Sequence, residues 1–252
     1  MTNVYTAEAT KLTDVCRALF GDESRWITAA GYPNSLALCL IDSLWSTGPA
    51  YKSVQNVVSN YRAYRATEGG DASTDGTKEL LETFADVNGS PGFADLVKNH
   101  KPAHTRQGAL LKSEVVYRAA VALEGIDIFT MADVRAEYAR DKNLTRIEEM
   151  WLDLPSQSSG VTFNYFVILA GYESVKPDRM IYRFIEEHTG LTSRQIGTRQ
   201  ATELLRSVAG AYPTQARKLD HIIWRYKSGR DLFQPDEWQD DSHGGHANAA
   251  RP

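Results

Sequence analysis

Cysteine is scarce in this chain of 252 residues: Cys16 and Cys39 are the only two. Two thiols cannot ligate a four-cysteine iron–sulfur cluster. Both stand in apolar, helix-spaced surroundings, which points to buried reduced thiols rather than a disulfide framework. Long apolar runs are missing as well. The longest, residues 36–41 and 166–170, fall far short of the roughly 18 residues a membrane span requires. No basic segment followed by an apolar stretch opens the chain, so a cytoplasmic protein without a membrane partner is expected. The six histidines are scattered, and His243 and His246 lie in a Gly/Asp/Ala-rich tail. With no metal-ligand spacing among them, no transition metal is expected. Alternating strand patterns, internal repeats and low-complexity blocks are also absent.

What is present is enough apolar material, 42% of residues, for one sizeable core or two modest ones. The net charge of −4 argues at first against a nucleic-acid partner, but its distribution matters more than its sum. Residues 160–230 carry a net +5 and the tail from 231 to 252 a net −4, with −5 on the remainder. A basic C-terminal half beside acidic flanks is compatible with a polyanion. The tail is polar and is expected to be largely disordered beyond Trp238.

Nearly every periodic segment is helical. Leu12, Val15, Cys16, Leu19 and Phe20 form one buried stripe ended by Gly21. Leu36 to Trp45 is apolar on all sides apart from Asp42, which predicts a central helix closed by Gly48-Pro49. Further helices are expected over 54–64, 80–87, 92–99 and 107–124, and from a capping box at Thr130 and Asp133. Others should follow at 144–152, 161–171, 177–189, 193–210 and 213–228. The fold class is therefore all-α.

The segment from Leu154 to Ile185 carries the most information. Leu154-Pro155 closes a helix, a Ser/Gln/Gly run makes a turn, and Val161 to Ala170 is apolar enough for a core helix. Lys176-Pro177-Asp178 then opens the next helix, with Pro177 near its first turn. A carboxylate at a helix entrance faces unsatisfied N–H groups and the positive end of the dipole, so it should stay ionised and could stabilise a cation. Asp178 would serve equally as a plain cap.

The order of these features resembles the helix-hairpin-helix (HhH-GPD) superfamily of DNA glycosylases over roughly residues 30–228. Residues 36–48 with 51–58 look like the family's first core helix, cleft-lining turn and next helix. Residues 111–120 resemble the helix before the hairpin, and 146–155 the approach to it. The family hairpin reads Leu-Pro-Gly-apolar-Gly, with the catalytic acid about twenty residues later; here Asp178 follows Gly160 by 18 positions. Asp178-Arg-Met-Ile-Tyr-Arg183 matches the context of that acid. At the hairpin the chain departs from the pattern, with Ser156 in place of the first Gly and two extra residues.

The resemblance implies an all-α, two-lobed fold with a cleft between lobes, about 30–140 forming one lobe and 1–29 with 141–230 the other. It implies a monomeric enzyme acting on double-stranded DNA, with Asp178 stabilising the sugar cation as the N-glycosidic bond breaks. Ser156, Ser158, Ser159, Gly160 and Thr162 at the hairpin, with Lys176 and Arg179, are the candidate phosphate contacts. Trp45, Tyr51, Tyr165 and Tyr182 are candidates to stack on an extruded base, although residues of this kind are more often plain core. Thr47 would sit at the pocket rim or line the vacated stack. Asp42, inside an apolar helix, must be paired, protonated or facing a cavity, and His221 and Trp224 of the last helix could partner it.

Strand-cutting relatives carry a lysine just after the hairpin glycine; Val161, Thr162, Phe163 and Asn164 stand there, so a monofunctional hydrolase is expected. No cofactor is implied beyond a monovalent cation at the hairpin. The target base is not legible. Cluster-free branches act on alkylated or oxidised bases, and enzymes that excise hypermodified phage cytosine make antiviral defence a further expectation. The alternative is a noncatalytic DNA-binding or adaptor protein on the same fold.

Overall fold

A computed structural model describes residues 5–48 and 51–234. Pro49 of the expected helix break, and the tail with His243 and His246, lie outside the described residues. Within them the protein is helical, with no strands and two isolated bridges, Trp26 to Phe233 and Pro102 to Leu111. No helix among them is long and apolar enough to cross a membrane.

Helix α1 covers Thr6–Phe20, α2 Leu36–Trp45, α3 Tyr51–Thr67, α4 Thr77–Asp86, α5 Ser90–Leu96 and α6 Lys112–Glu124. Then follow α7 Met131–Arg140, α8 Thr145–Leu152, α9 Val161–Leu169, α10 Arg179–Thr189, α11 Thr198–Ala211 and α12 Ala216–Lys227. All ten residues of α2 are buried, as its uniform apolarity predicts. Its start is set by Ser35, whose Oγ accepts the Leu38 N–H at 3.1 Å. The Thr130–Asp133 capping box forms as read from the sequence. Cys16 and Cys39 are buried and unpaired.

The expected helix over 107–124 begins only at Lys112. Residues 101–112 instead pair across a loop: Ala103 N–H donates to Leu110 O at 2.8 Å and Lys112 N–H to Lys101 O at 3.0 Å. Those tertiary bonds satisfy backbone groups that a longer helix would have used.

Buried side chains fall into two clusters. One runs from Leu36 to Ala170 and is centred on α2, which packs against α3, α6 and α9. The other joins α1, α10, α11 and α12 with Trp26 and Val175. The division therefore falls between Ala170 and Val175, not near residue 140 as expected. The reason lies in α9, where Phe163, Phe166, Val167 and Leu169 are all buried in the first cluster together with Trp151 of α8. A helix apolar on every side cannot stay at a lobe edge; it is drawn into the larger core, at ~1.5–3 kcal/mol per buried side chain. The amphipathic α10, α11 and α12 are left to make a core of their own.

Candidate functional site

Asp178 occupies the point where the chain crosses between the two clusters. Val175 is fully buried, and Asp178 N–H donates to Lys176 O at 2.6 Å, closing a three-residue turn around Pro177. Pro177 thus falls one residue before the cap, not in the first turn of α10. Asp178 then adopts an extended backbone, and its Oδ1 accepts the N–H groups of Met180 at 2.7 Å and Ile181 at 3.3 Å. It caps the helix and also lines a cleft.

That cleft has a volume of about 600 Å³ and is lined from both clusters: the turn Ser46-Thr47-Gly48 after α2, Tyr51, Val161 and Tyr165 on one side, and Asp178, Arg179, Asp220, His221 and Trp224 on the other. One wall is aromatic. The Tyr51 and Trp224 rings meet edge to face at 5.3 Å, and His221 stacks on Trp224 at 5.8 Å. The Arg230 guanidinium covers both Trp224, at 4.9 Å, and Tyr51, at 5.4 Å. Burial, together with Arg225 and Arg230, pushes His221 down to about 4, so its imidazole is neutral at pH 7. Arg179, Arg217, Lys218 and Arg230 line the same cleft. Lys218 is paired with Glu23 and Arg217 with Glu173, whereas exposed Arg179 has no ion pair among the described residues.

Lys176 lies deeper than a phosphate contact would. Its Nζ sits 3.8 Å from the centre of the Tyr165 ring and donates to Ser46 Oγ at 3.0 Å. Burial lowers its pKa, while the charges of Asp178, Asp42 and Asp220 pull the other way. The amine belongs to the cleft lining.

Several expected site residues fall elsewhere. Asp42 is 3% exposed and does not line the cleft; its Oδ2 accepts from Tyr32 Oη at 2.8 Å and its Oδ1 has no partner among the described residues. Burial raises its pKa against the opposing pull of Tyr32, Lys176 and Tyr165. Trp45 is fully buried beside Phe93, because the cleft starts at Ser46, where α2 ends. Tyr182 packs on the second cluster: Ile181 faces the cleft, and one step along a helix turns the next side chain away. Thr162 is buried between two side chains, accepting from Trp151 Nε1 at 2.9 Å and donating to Gln157 Oε1 at 2.5 Å. Its hydroxyl proton is therefore committed, and the residue is removed from the phosphate contacts.

Between α8 and α9 the chain makes a turn. Gly160 takes a left-handed conformation, φ 72°, at the start of α9, and no side chain caps that helix. Ser156, Ser158 and Ser159 are exposed on the turn, outside the cleft lining.

Two site features escaped the sequence reading. Asp220 is 7% exposed, lines the cleft, and accepts the Lys176 backbone N–H on Oδ1 at 2.8 Å. Burial first, then the charge of Asp178, push its pKa up to about 8. Its position was legible, since Ala216, Leu219, Asp220 and Ile223 share one buried stripe of α12. Lys112 gave no such signal. Its Nζ reaches back to the end of α2 and donates to the carbonyls of Trp45 at 2.9 Å and Thr47 at 2.6 Å, and to Thr47 Oγ1 at 2.8 Å. A cation there complements the negative end of α2 and fixes the cleft turn. Burial, then repulsion from Lys101 and Lys176, lowers its pKa to about 7.

A family described as a domain of unknown function, DUF8548, matches residues 10–228, a span that takes in every residue of both buried clusters but Ala9 and every cleft residue except Arg230. The chain belongs to the DUF8548 family. No curated protein matches it, and no solved structure does. The DUF8548 description names no activity, so the chemistry of the cleft has to speak for itself. Among the described residues no three His, Cys, Asp or Glu side chains gather as a metal site would require.

Proposed function

We propose that this DUF8548 protein is a monofunctional DNA glycosylase, with the cleft between the two clusters receiving an extruded base. The reading rests above all on the meeting of Asp178 with an aromatic wall and a cationic lining in one cavity. An N-glycosidic bond that breaks heterolytically leaves positive charge on the sugar, and a carboxylate fixed beside C1′ stabilises it. Asp178 is fixed by its two N–H bonds, so it need not reorganise during the reaction. Trp224, Tyr51 and His221 offer ring faces to a base that has left its stack. Arg179 at the cleft and the N–H groups at the start of α9 suit the phosphates on either side.

The monofunctional form of the reading rests on Val161, Thr162, Phe163 and Asn164 standing where strand-cutting relatives carry their lysine. The defining experiment incubates the purified chain with genomic DNAs of different base modification, including heavily modified phage DNA, and identifies released bases by mass spectrometry. Free base, an intact abasic strand and no borohydride-trapped adduct are expected. Duplex binding without release from any DNA would move the protein to the noncatalytic, adaptor class.

A further inference from the structure

Asp220 has no part in that reading, yet it is the more deeply buried of the two carboxyl groups lining the cleft. Its Oδ1 is pinned by the Lys176 N–H, 2.8 Å away. Asp178 follows Lys176 by two residues, which span at most ~7 Å of chain, and the tight turn between them shortens the distance. Asp178 at the start of α10 and Asp220 in the first turns of α12 are thus held beside one another with the Lys176 backbone between them. Oδ2 of Asp220 takes no hydrogen bond among the described residues. A buried carboxyl with a free oxygen on a cavity is poised to carry a proton.

We infer that Asp220 is the general acid of the reaction, holding the proton that the departing base takes up while Asp178 faces the sugar. This assignment rests on the glycosylase reading. In the step, the C1′–N bond breaks and its electron pair goes to the base, which receives the Asp220 proton. A water oxygen then bonds to C1′, and its proton passes to a carboxylate of the pair and back to Asp220. The products are the free base and an abasic sugar, with no other reactant needed.

Two carboxyls in unlike surroundings divide acid and charge-stabilising duties in this manner. Asp220 is buried and feels the Asp178 charge, so it keeps its proton up to about pH 8. The titratable and charged groups that line the cavity with it are Tyr51 on α3, Tyr165 on α9, Lys176 and Asp178 before α10, Arg179 on α10, Arg217, Lys218 and His221 on α12, and Arg230 after it; α11, which also packs on α12, contributes none to the cleft. His221 is neutral at pH 7, pushed down by burial and by Arg225 and Arg230 as above, and cannot supply the proton from a charged form.

The test is single-turnover base release by the full chain, from whichever DNA the wild type acts on, across pH 5.5–9.5. Wild-type rates should fall as pH passes about 8. Asp220→Asn should be slower by about 10²–10³-fold at pH 7, with that descending limb gone. On DNA carrying a cationic N7-methylpurine, which leaves without needing a proton, variant and wild type should differ little. A wild-type profile that stays flat or rises to pH 9.5 overturns the assignment without any variant, as does an Asp220→Asn profile that overlays the wild type. A wild type that releases no base from any DNA instead refutes the underlying glycosylase reading.

Discussion

Replacing Asp220 with Asn tests the electrostatics of the cleft independently of any activity. In the unfolded chain the carboxyl ionises near its ordinary value of ~3.9. In the folded chain it holds its proton to about pH 8, chiefly through burial and secondarily through Asp178. Between those limits the folded state retains a proton that the unfolded state has released, so stability contributed by this group declines as pH rises. The decline is ~1.4 kcal/mol per pH unit, or ~3 kcal/mol between pH 5 and pH 7. Asn keeps an oxygen for the Lys176 N–H but cannot ionise, and all other titrations are common to both proteins. Urea unfolding of wild type and Asp220→Asn at pH 5, 6, 7 and 8 gives the difference directly. The wild type should lose ground to the variant steadily across that range, and the variant should be the more stable protein at the alkaline end. Parallel curves, or a wild type that gains on the variant with rising pH, would refute the claim that this carboxyl is buried beside a second charge.

Three further outcomes are expected. Lys112→Met strands the Trp45 and Thr47 carbonyls at the end of α2 and should lower stability by about 3 kcal/mol in urea unfolding, with base release slowed because the Thr47 turn loosens. Thr162→Val leaves Trp151 Nε1 and Gln157 Oε1 without partners and should cost about 2–3 kcal/mol by the same measurement. Arg179→Ala should leave stability unchanged while weakening duplex binding, with the slope of log affinity against log salt reduced by about 1 in a fluorescence-anisotropy titration.

Local rules carried the reading of individual helices a long way. A ten-residue run with a single polar interruption could only be central, and α2 is; the Thr130–Asp133 spacing and Asp178 before α10 are caps because their side chains satisfy N–H groups a few residues away. Where the deciding contact lies far along the chain, the sequence is silent. The first turns expected of α6 are lost to pairing between residues 101 and 112, and the boundary between cores follows α9, whose all-round apolarity says that it is buried but not against what. The site divides in the same way. Tyr51, Tyr165, His221 and Trp224 line the cleft, but His221 and Trp224 do not partner Asp42, which pairs with Tyr32 instead, and Trp45 and Tyr182 miss the cleft by one helical step. Asp220 could have been noticed as an acid on an apolar stripe. Lys112 could not, because its partners lie 65 and 67 residues earlier.

The most direct measurement of the central proposal is base release by Asp178→Asn under single-turnover conditions. Asn caps helices as well as Asp does, so the fold and the Met180 and Ile181 bonds persist while the negative charge is removed. The predicted result is a loss of about 10²–10³-fold or more in rate with duplex affinity retained. Release at the wild-type rate would contradict the account.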